Sequence, residues 1–175
     1  MKTFICRICG EVYLGESIPP SCPFCGVMNK YLALGHVWKD ENVGVELTDI
    51  SKQNLEDALN LELSNAAYYK CIAKTADNTE IAKTFKGLYK VEKEHAEVFT
   101  KLLGIDLKEI EETCVAAEPA DWIKASAERE DRAVKFYSRA LAAATEPRVK
   151  EVFEAIMQVE QTHQDLDKIL LEKYK

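Results

Sequence analysis

Glu92-Lys93-Glu94-His95 and Glu160-Gln161-Thr162-His163 are two copies of a Glu-x-x-His motif set 68 residues apart. Residues i and i+3 of a helix share a face, so the Glu and His of each copy can converge on one point. The same 68-residue offset carries Glu62 onto Glu130, Tyr69 onto Tyr137, Phe85 onto Phe153 and Leu88 onto Ile156. The step from the lone glutamate to the motif is 30 residues in both halves, 62 to 92 and 130 to 160. The pattern is that of a duplicated helical hairpin. Its pseudo-two-fold symmetry would gather matched residues around a common axis, where a dinuclear site can form.

Hydrophobic periodicity predicts four helices around these positions. The first runs over 51–76, with Leu55, Leu59, Ala66, Tyr69 and Ala73 on one stripe. The second runs from Glu80 to Leu103, with Ile81, Phe85, Leu88, Phe99 and Leu102 in register, Thr79 as its N-cap and Gly104 as its stop. The third opens at Pro119 and runs to about Thr145, with Ile123, Val134, Tyr137, Leu141 and Ala144 inward. The fourth runs from Pro147 to the C-terminus, with Val149, Phe153, Ile156 and Leu170 inward. Residues 105–120 form the one long connection. Sixteen residues span about 50 Å when extended, enough to cross the length of a bundle. Two hairpins joined by a crossover make the ferritin-like arrangement.

Each predicted helix aims acidic side chains at the core: Glu62 on the first, Glu92 on the second, Glu130 on the third and Glu160 on the fourth. Four bare carboxylates in a dry interior would each lose several kcal/mol of hydration and repel one another. Cations must sit among them. Two Fe(II) ions would neutralise the four charges, and carboxylate oxygen with two imidazoles suits iron or manganese. A glutamate from each of two helices plus a Glu-x-x-His from each of the other two is the ligand set of di-iron carboxylate bundles. Glu62, Glu92, His95, Glu130, Glu160 and His163 supply all six. Tyr69 and Tyr137 follow Glu62 and Glu130 by two turns, and two readings stay open: core packing, or phenols that hydrogen-bond a ligand carboxylate or take part in redox steps. His36, the remaining histidine, is read as structural.

Residues 1–35 have a different texture. They hold four of the seven glycines and the pairs Cys6-x-x-Cys9-Gly10 and Cys22-Pro23-x-Cys25-Gly26. Two residues between cysteines let both sulfurs converge on one metal, and a glycine after each pair can take φ > 0 and close the knuckle. Cys6, Cys9, Cys22 and Cys25 therefore predict a tetrahedral four-sulfur site, for iron or for zinc. Residues 36–50 read as a linker and 51–175 as the bundle. Cys71 and Cys114 lack paired partners and are read as buried or free thiols.

The chain has 175 residues, 47% hydrophobic and 30% charged, with a net charge of −7. That is ample for a packed core, and it argues against a nucleic-acid binder, which would need a basic stripe. No run of 18 apolar residues and no signal-peptide pattern is present, so a cytoplasmic protein with reduced cysteines is expected.

The segments C-R-I-C-G-E-V-Y (6–13) and P-P-S-C-P-F-C-G (19–26) resemble the two loops of rubredoxin, in shortened form. A rubredoxin-like module followed by a ferritin-like di-iron bundle resembles the rubrerythrins, in the reversed order. The resemblance implies reduction of hydrogen peroxide, with O2 as the other candidate oxidant. Electrons would enter through iron in the four-cysteine site, from a nicotinamide-linked reductase or a carrier such as rubredoxin. It implies that Glu92 and Glu160 bridge the two irons, that Glu62 and Glu130 are terminal ligands, and that His95 and His163 cap one iron each. Rubrerythrins commonly carry a further glutamate one turn after the third-helix ligand; Ala133 stands there. Reading Glu128 as the ligand would put Asp131 in that slot. Glu128, however, points about 160° from Glu130 on the helix and breaks the repeat, so six ligands are expected. Six ligands also suit a ferroxidase, the alternative function; an electron carrier or sensor is the third. A homodimer or larger homo-oligomer is expected, bringing one chain's module near another's bundle, because the two sites of one chain could lie far apart.

Overall fold

The computed structural model describes residues 1–115 and 117–174. Most of them lie in four helices, α1 (Asp49–Thr75), α2 (Thr79–Leu103), α3 (Pro119–Ala143) and α4 (Pro147–Lys173). The helix ends follow from local chemistry. Thr48 caps α1 by accepting from the Ser51 backbone N–H at 3.4 Å. Asn78, not the expected Thr79, caps α2. Its Oδ1 accepts from the N–H groups of Glu80 and Ile81 at 3.0 and 3.1 Å, which leaves Thr79 as the first helical residue. Gly104 ends α2 at φ 66°, with the N–H groups of Gly104 and Ile105 returning to the carbonyls of Lys101 and Thr100. Pro119 and Pro147 open α3 and α4, where a missing N–H costs nothing.

α1 packs on α2 and α3 on α4, giving two hairpins that form a bundle. The internal repeat is visible in the aromatic core. The ring centroids of Tyr69 and Phe85 lie 5.5 Å apart, and those of their repeat mates Tyr137 and Phe153 lie 5.9 Å apart.

The crossover between α2 and α3 runs back along α1. Lys70 Nζ donates to the Ile110 carbonyl at 2.9 Å, Thr113 N–H to the Ala67 carbonyl at 3.4 Å, and Lys74 pairs with Glu112. This path brings Cys114 to Cys71, and the two are disulfide-bonded with Cα atoms 5.8 Å apart. The expectation that both are unpaired thiols is thereby corrected. A sequence separation of 43 hid a neighbour that only the return of the crossover creates.

The N-terminal segment forms a three-stranded antiparallel sheet in the order β2-β1-β3, with β1 at Lys2–Cys6, β2 at Val12–Gly15 and β3 at Leu32–Leu34. Phe4 pairs with Tyr13 on one side and Leu34 on the other. The sheet and the two cysteine loops make the rubredoxin-like module. Residues 36–50, read as a linker, also pack: Trp38 Nε1 donates to the Cys6 carbonyl at 3.3 Å, and buried Asn42 donates to the Ile8 carbonyl at 2.8 Å. Arg148 of α4 then grips the segment, donating to Asn42 Oδ1 at 2.8 Å and to the Arg7 carbonyl. The module and the bundle are held together at this point.

Candidate metal centre

Helical spacing puts the six predicted bundle residues on inward stripes, and packing brings the stripes together. Glu62, Glu92, His95, Glu130 and Glu160 have no exposed surface, and His163 is buried as well. They form two clusters that share members. One holds Glu62, Glu92, His95 and Glu160; the other holds Glu92, Glu130, Glu160 and His163. His95 Nδ1 lies 3.2 Å from Glu92 Oε2, 3.1 Å from Glu160 Oε1 and 3.9 Å from Glu62 Oε2. His163 Nδ1 lies 3.2 Å from Glu92 Oε1, 3.3 Å from Glu160 Oε2 and 3.7 Å from Glu130 Oε2. Glu92 and Glu160 thus each turn one oxygen toward each imidazole, whereas Glu62 and Glu130 each face one cluster only.

This geometry fits a pair of ions. Four ligands bound at 2.0–2.2 Å around one tetrahedral ion sit about 3.3–3.6 Å apart, in the middle of the observed spacings. The inward atoms, Glu62 Oε2, Glu130 Oε2, both oxygens of Glu92 and of Glu160, and Nδ1 of His95 and His163, have no hydrogen-bond partner among the described residues. Buried polar atoms left in this way demand a partner, and a cation is the one partner all eight can share. The outward atoms are satisfied. Tyr137 Oη donates to Glu62 Oε1, and Tyr69 Oη donates to Glu130 Oε1. Each tyrosine serves the glutamate of the opposite hairpin through its hydroxyl while its ring packs in the buried aromatic core.

Electrostatics point the same way. Burial, then the charges of Glu92 and Glu160, push the Glu62 and Glu130 carboxyls well above the ordinary range. Burial alone would lower His95; the Glu160 and Glu92 carboxylates override it and raise His95 to about 10. Burial opposes ionisation of Glu92 and Glu160 too, yet the His163 imidazole draws both below the ordinary range. Without cations the cluster must hold protons in their place.

Two neighbours escaped the sequence reading. Asp167 is fully buried on α4, one turn past His163, and burial pushes it up to about 7, with the hydroxyl of Ser126 beside it pulling the other way. Ser126 Oγ donates to Tyr69 Oη at 3.1 Å, which ties α3 to the phenol on Glu130. The sequence does carry a signal, since Asp167 continues the stripe of Ile156, Glu160, His163 and Leu170. The repeat mates of Ser126 and Asp167 are Ala58 and Phe99, so only one half carries this polar pair. Ala133 is buried where a further glutamate would stand, while Glu128 is exposed and Asp131 pairs outward with Lys135 at 2.5 Å.

Cys6, Cys9, Cys22 and Cys25 are buried together in the module. The Cys6–Cys25 and Cys9–Cys22 sulfurs lie 3.7 and 3.8 Å apart. Four thiolates at 2.3 Å around a tetrahedral ion would sit about 3.8 Å apart, so the set fits one metal. Gly10 and Gly26 take φ of 87° and 78° and close the two knuckles, their N–H groups returning to the carbonyls of Cys6 and Cys22.

The module lies directly on the bundle of its own chain. His95 Nε2 is 2.9 Å from the Cys25 carbonyl oxygen, and Lys101 Nζ donates to the Cys9 carbonyl at 2.7 Å. The expectation that one chain leaves its two sites far apart is corrected, because the flat backbone at Gly26 lets the second knuckle settle on Val159 of α4. His36 is exposed and belongs to neither cluster.

Fold and site together define a helical bundle with a buried carboxylate–imidazole cluster that fits a pair of metal ions, bearing a four-cysteine module that fits one. The rubrerythrin family model matches residues 53–171, and the chain belongs to the rubrerythrin family. It is 35% identical over 115 residues to Reverse rubrerythrin-1 of Clostridium acetobutylicum, a match that spans 59% of this chain and 63% of that protein. A solved structure, Hypothetical Protein Pfu-1136390-001 from Pyrococcus furiosus, superposes with a TM-score of 0.61 at 18% identity, over 70% of this chain and 88% of the other, a likeness of fold. No helix among the described residues is long and apolar enough to cross a membrane.

Proposed function

We propose that the chain is a non-haem di-iron peroxidase that reduces hydrogen peroxide, with O2 as a lesser oxidant, and that it is fed one electron at a time through iron in the four-cysteine site. The observation that carries this reading is the contact between His95 and Cys25. A one-electron centre has little use beside a storage or ferroxidase site, but a two-electron reduction needs its electrons returned. The electrons would come from a separate nicotinamide-linked reductase or a rubredoxin-like carrier.

Glu92 and Glu160 would bridge the two ions, Glu62 and Glu130 would each hold one, and His95 and His163 would cap one each. When bound, two ferrous ions would supply two electrons and Lewis acidity to an O–O bond. A carbonyl can only accept, so His95 donates from Nε2 to Cys25 and turns its Nδ1 lone pair inward once it is neutral. Tyr69 and Tyr137 fix the carboxylates of Glu130 and Glu62 and leave one oxygen of each free for metal. Phe85, Phe99 and Phe153, all fully buried, keep bulk water from the site.

The second reading is a ferroxidase, favoured by Ala133 in place of a further carboxylate. Mixing the reduced protein with peroxide and, separately, with O2 in a stopped-flow instrument separates the two. Reoxidation within seconds by peroxide, with three Fe and no Zn per chain, is the expected result. Sustained oxidation of many irons per chain would favour the ferroxidase, and no reoxidation by either oxidant would remove the enzyme reading.

A further inference from the structure

We propose that Cys71 and Cys114 are a reversible dithiol–disulfide couple, a peroxide-oxidised modification site separate from both metal clusters, whose state sets how firmly the crossover is held on the bundle.

The two cysteines sit on unlike supports. Cys71 is fixed near the C-terminal end of α1, whereas Cys114 lies in the non-helical crossover. Both are only part-buried, so a small oxidant or a dithiol can reach the sulfurs. Leu107 and buried Ile110 anchor the first part of the crossover on the core, whereas over 111–115 the other ties to α1 are polar: Thr113 to the Ala67 carbonyl, and Lys74 with Glu112. Such polar contacts contribute little at a wet surface, so over this exposed last stretch the covalent bond dominates the attachment.

The attachment leads inward. Val115, next to Cys114, accepts from Trp122 Nε1 at 2.9 Å, and Trp122 is a buried residue in the first turn of α3. Tyr68 Oη in turn reaches the Trp122 carbonyl at 3.5 Å. Releasing Cys114 therefore loosens the segment that seats the start of the helix carrying Glu130.

The chemistry balances without either metal site. One thiolate attacks hydrogen peroxide, the O–O bond breaks, and with one proton a sulfenic acid and water form. The second thiol then attacks the sulfenic sulfur, the S–S bond forms and a second water leaves. Two thiols lose two electrons in all, and an external dithiol returns them by exchange.

The test uses full-length, metal-loaded protein without air. Dithiothreitol treatment, alkylation and peptide mass spectrometry should find Cys71 and Cys114 both alkylated. Hydrogen peroxide in excess of the reducing equivalents of the metals should then convert the two peptides into one cross-linked species. Hydrogen exchange over 111–115 should rise at least several-fold in the dithiol state. In Cys71→Ser the Cys114 peptide should not cross-link, and exchange should stay fast with or without peroxide. A bond that persists in the folded protein under dithiothreitol, thiols that peroxide leaves unlinked, or equal exchange in the two states would each overturn the proposal.

Discussion

His95 of α2 and Cys25 of the second knuckle share a hydrogen bond of 2.9 Å, from imidazole Nε2 to backbone carbonyl, so a residue of the two-metal cluster touches a residue of the thiolate cluster within one chain. The contact exists because Gly26, at φ 78°, presents no side chain to α4; a Cβ there would meet Val159 Cγ1 at 2.9 Å.

Gly26→Ala should therefore unseat the module. The left-handed backbone costs alanine about 1–2 kcal/mol, and the clash adds to it. Gly44, at φ 75° with nothing within 4 Å of where a Cβ would stand, is the control for backbone strain alone. The melting temperature should fall further in Gly26→Ala than in Gly44→Ala, and electron passage to the bundle metals should slow only in the former. Equal behaviour of the two variants would detach the docking contact from electron transfer.

Tyr137→Phe should leave Glu62 Oε1 buried without a donor, and Tyr69→Phe should do the same to Glu130. Each loss costs about 1–3 kcal/mol and should weaken metal binding about 10–100-fold. Competition titration against a chelator reads this directly. Tyr69→Phe should also strand Ser126 Oγ, a group with no counterpart at Ala58, so the two variants should differ.

Metal loading should expel protons. Glu62 and Glu130 are pushed well up, and His95 up to about 10, so near neutral pH the metal-free cluster carries protons that cations must displace. Affinity should rise with pH, and calorimetric titration in two buffers of different ionisation heat should report net proton release. Chelation should lower the melting temperature; saturation at about 100 times Kd stabilises by about 2.7 kcal/mol. A melting temperature indifferent to chelation would contradict the need for charge neutralisation.

Glu146 ties the start of α4 to the start of α1, accepting from Thr48 N–H at 2.6 Å and from Ser51 Oγ at 2.5 Å. Burial opposes its ionisation, but these donors hold it at about 2, against an ordinary 4.5. The folded state thus binds fewer protons than the unfolded chain between those values. The stabilisation is complete above pH 4.5 and fades as pH falls toward 2. Glu146→Gln should cost about 1–2 kcal/mol at pH 7, after allowance for solvent screening, and almost nothing near pH 2. Urea melts at several pH values would show whether the gap closes.

Much of this was legible in the chain. The 68-residue repeat, the inward glutamates and the Cys-x-x-Cys-Gly pairs are local patterns, fixed by the helical period and by knuckle geometry, so they announced the helices and the residues that meet. Asp167 also lies on a readable stripe, yet one acid among the thirty of the chain carries no motif of its own to single it out.

Other features came only from the folded chain. The exchange of tyrosines between hairpins, the pairing of Cys71 with Cys114 and the seat of the Cys25 knuckle on His95 join residues 43 to 75 positions apart. Periodicity says which face of a helix turns inward, but not which neighbour it meets. That depends on the path of the crossover and on how closely the bare backbone of Gly26 can approach Val159, and both are set by packing between distant segments.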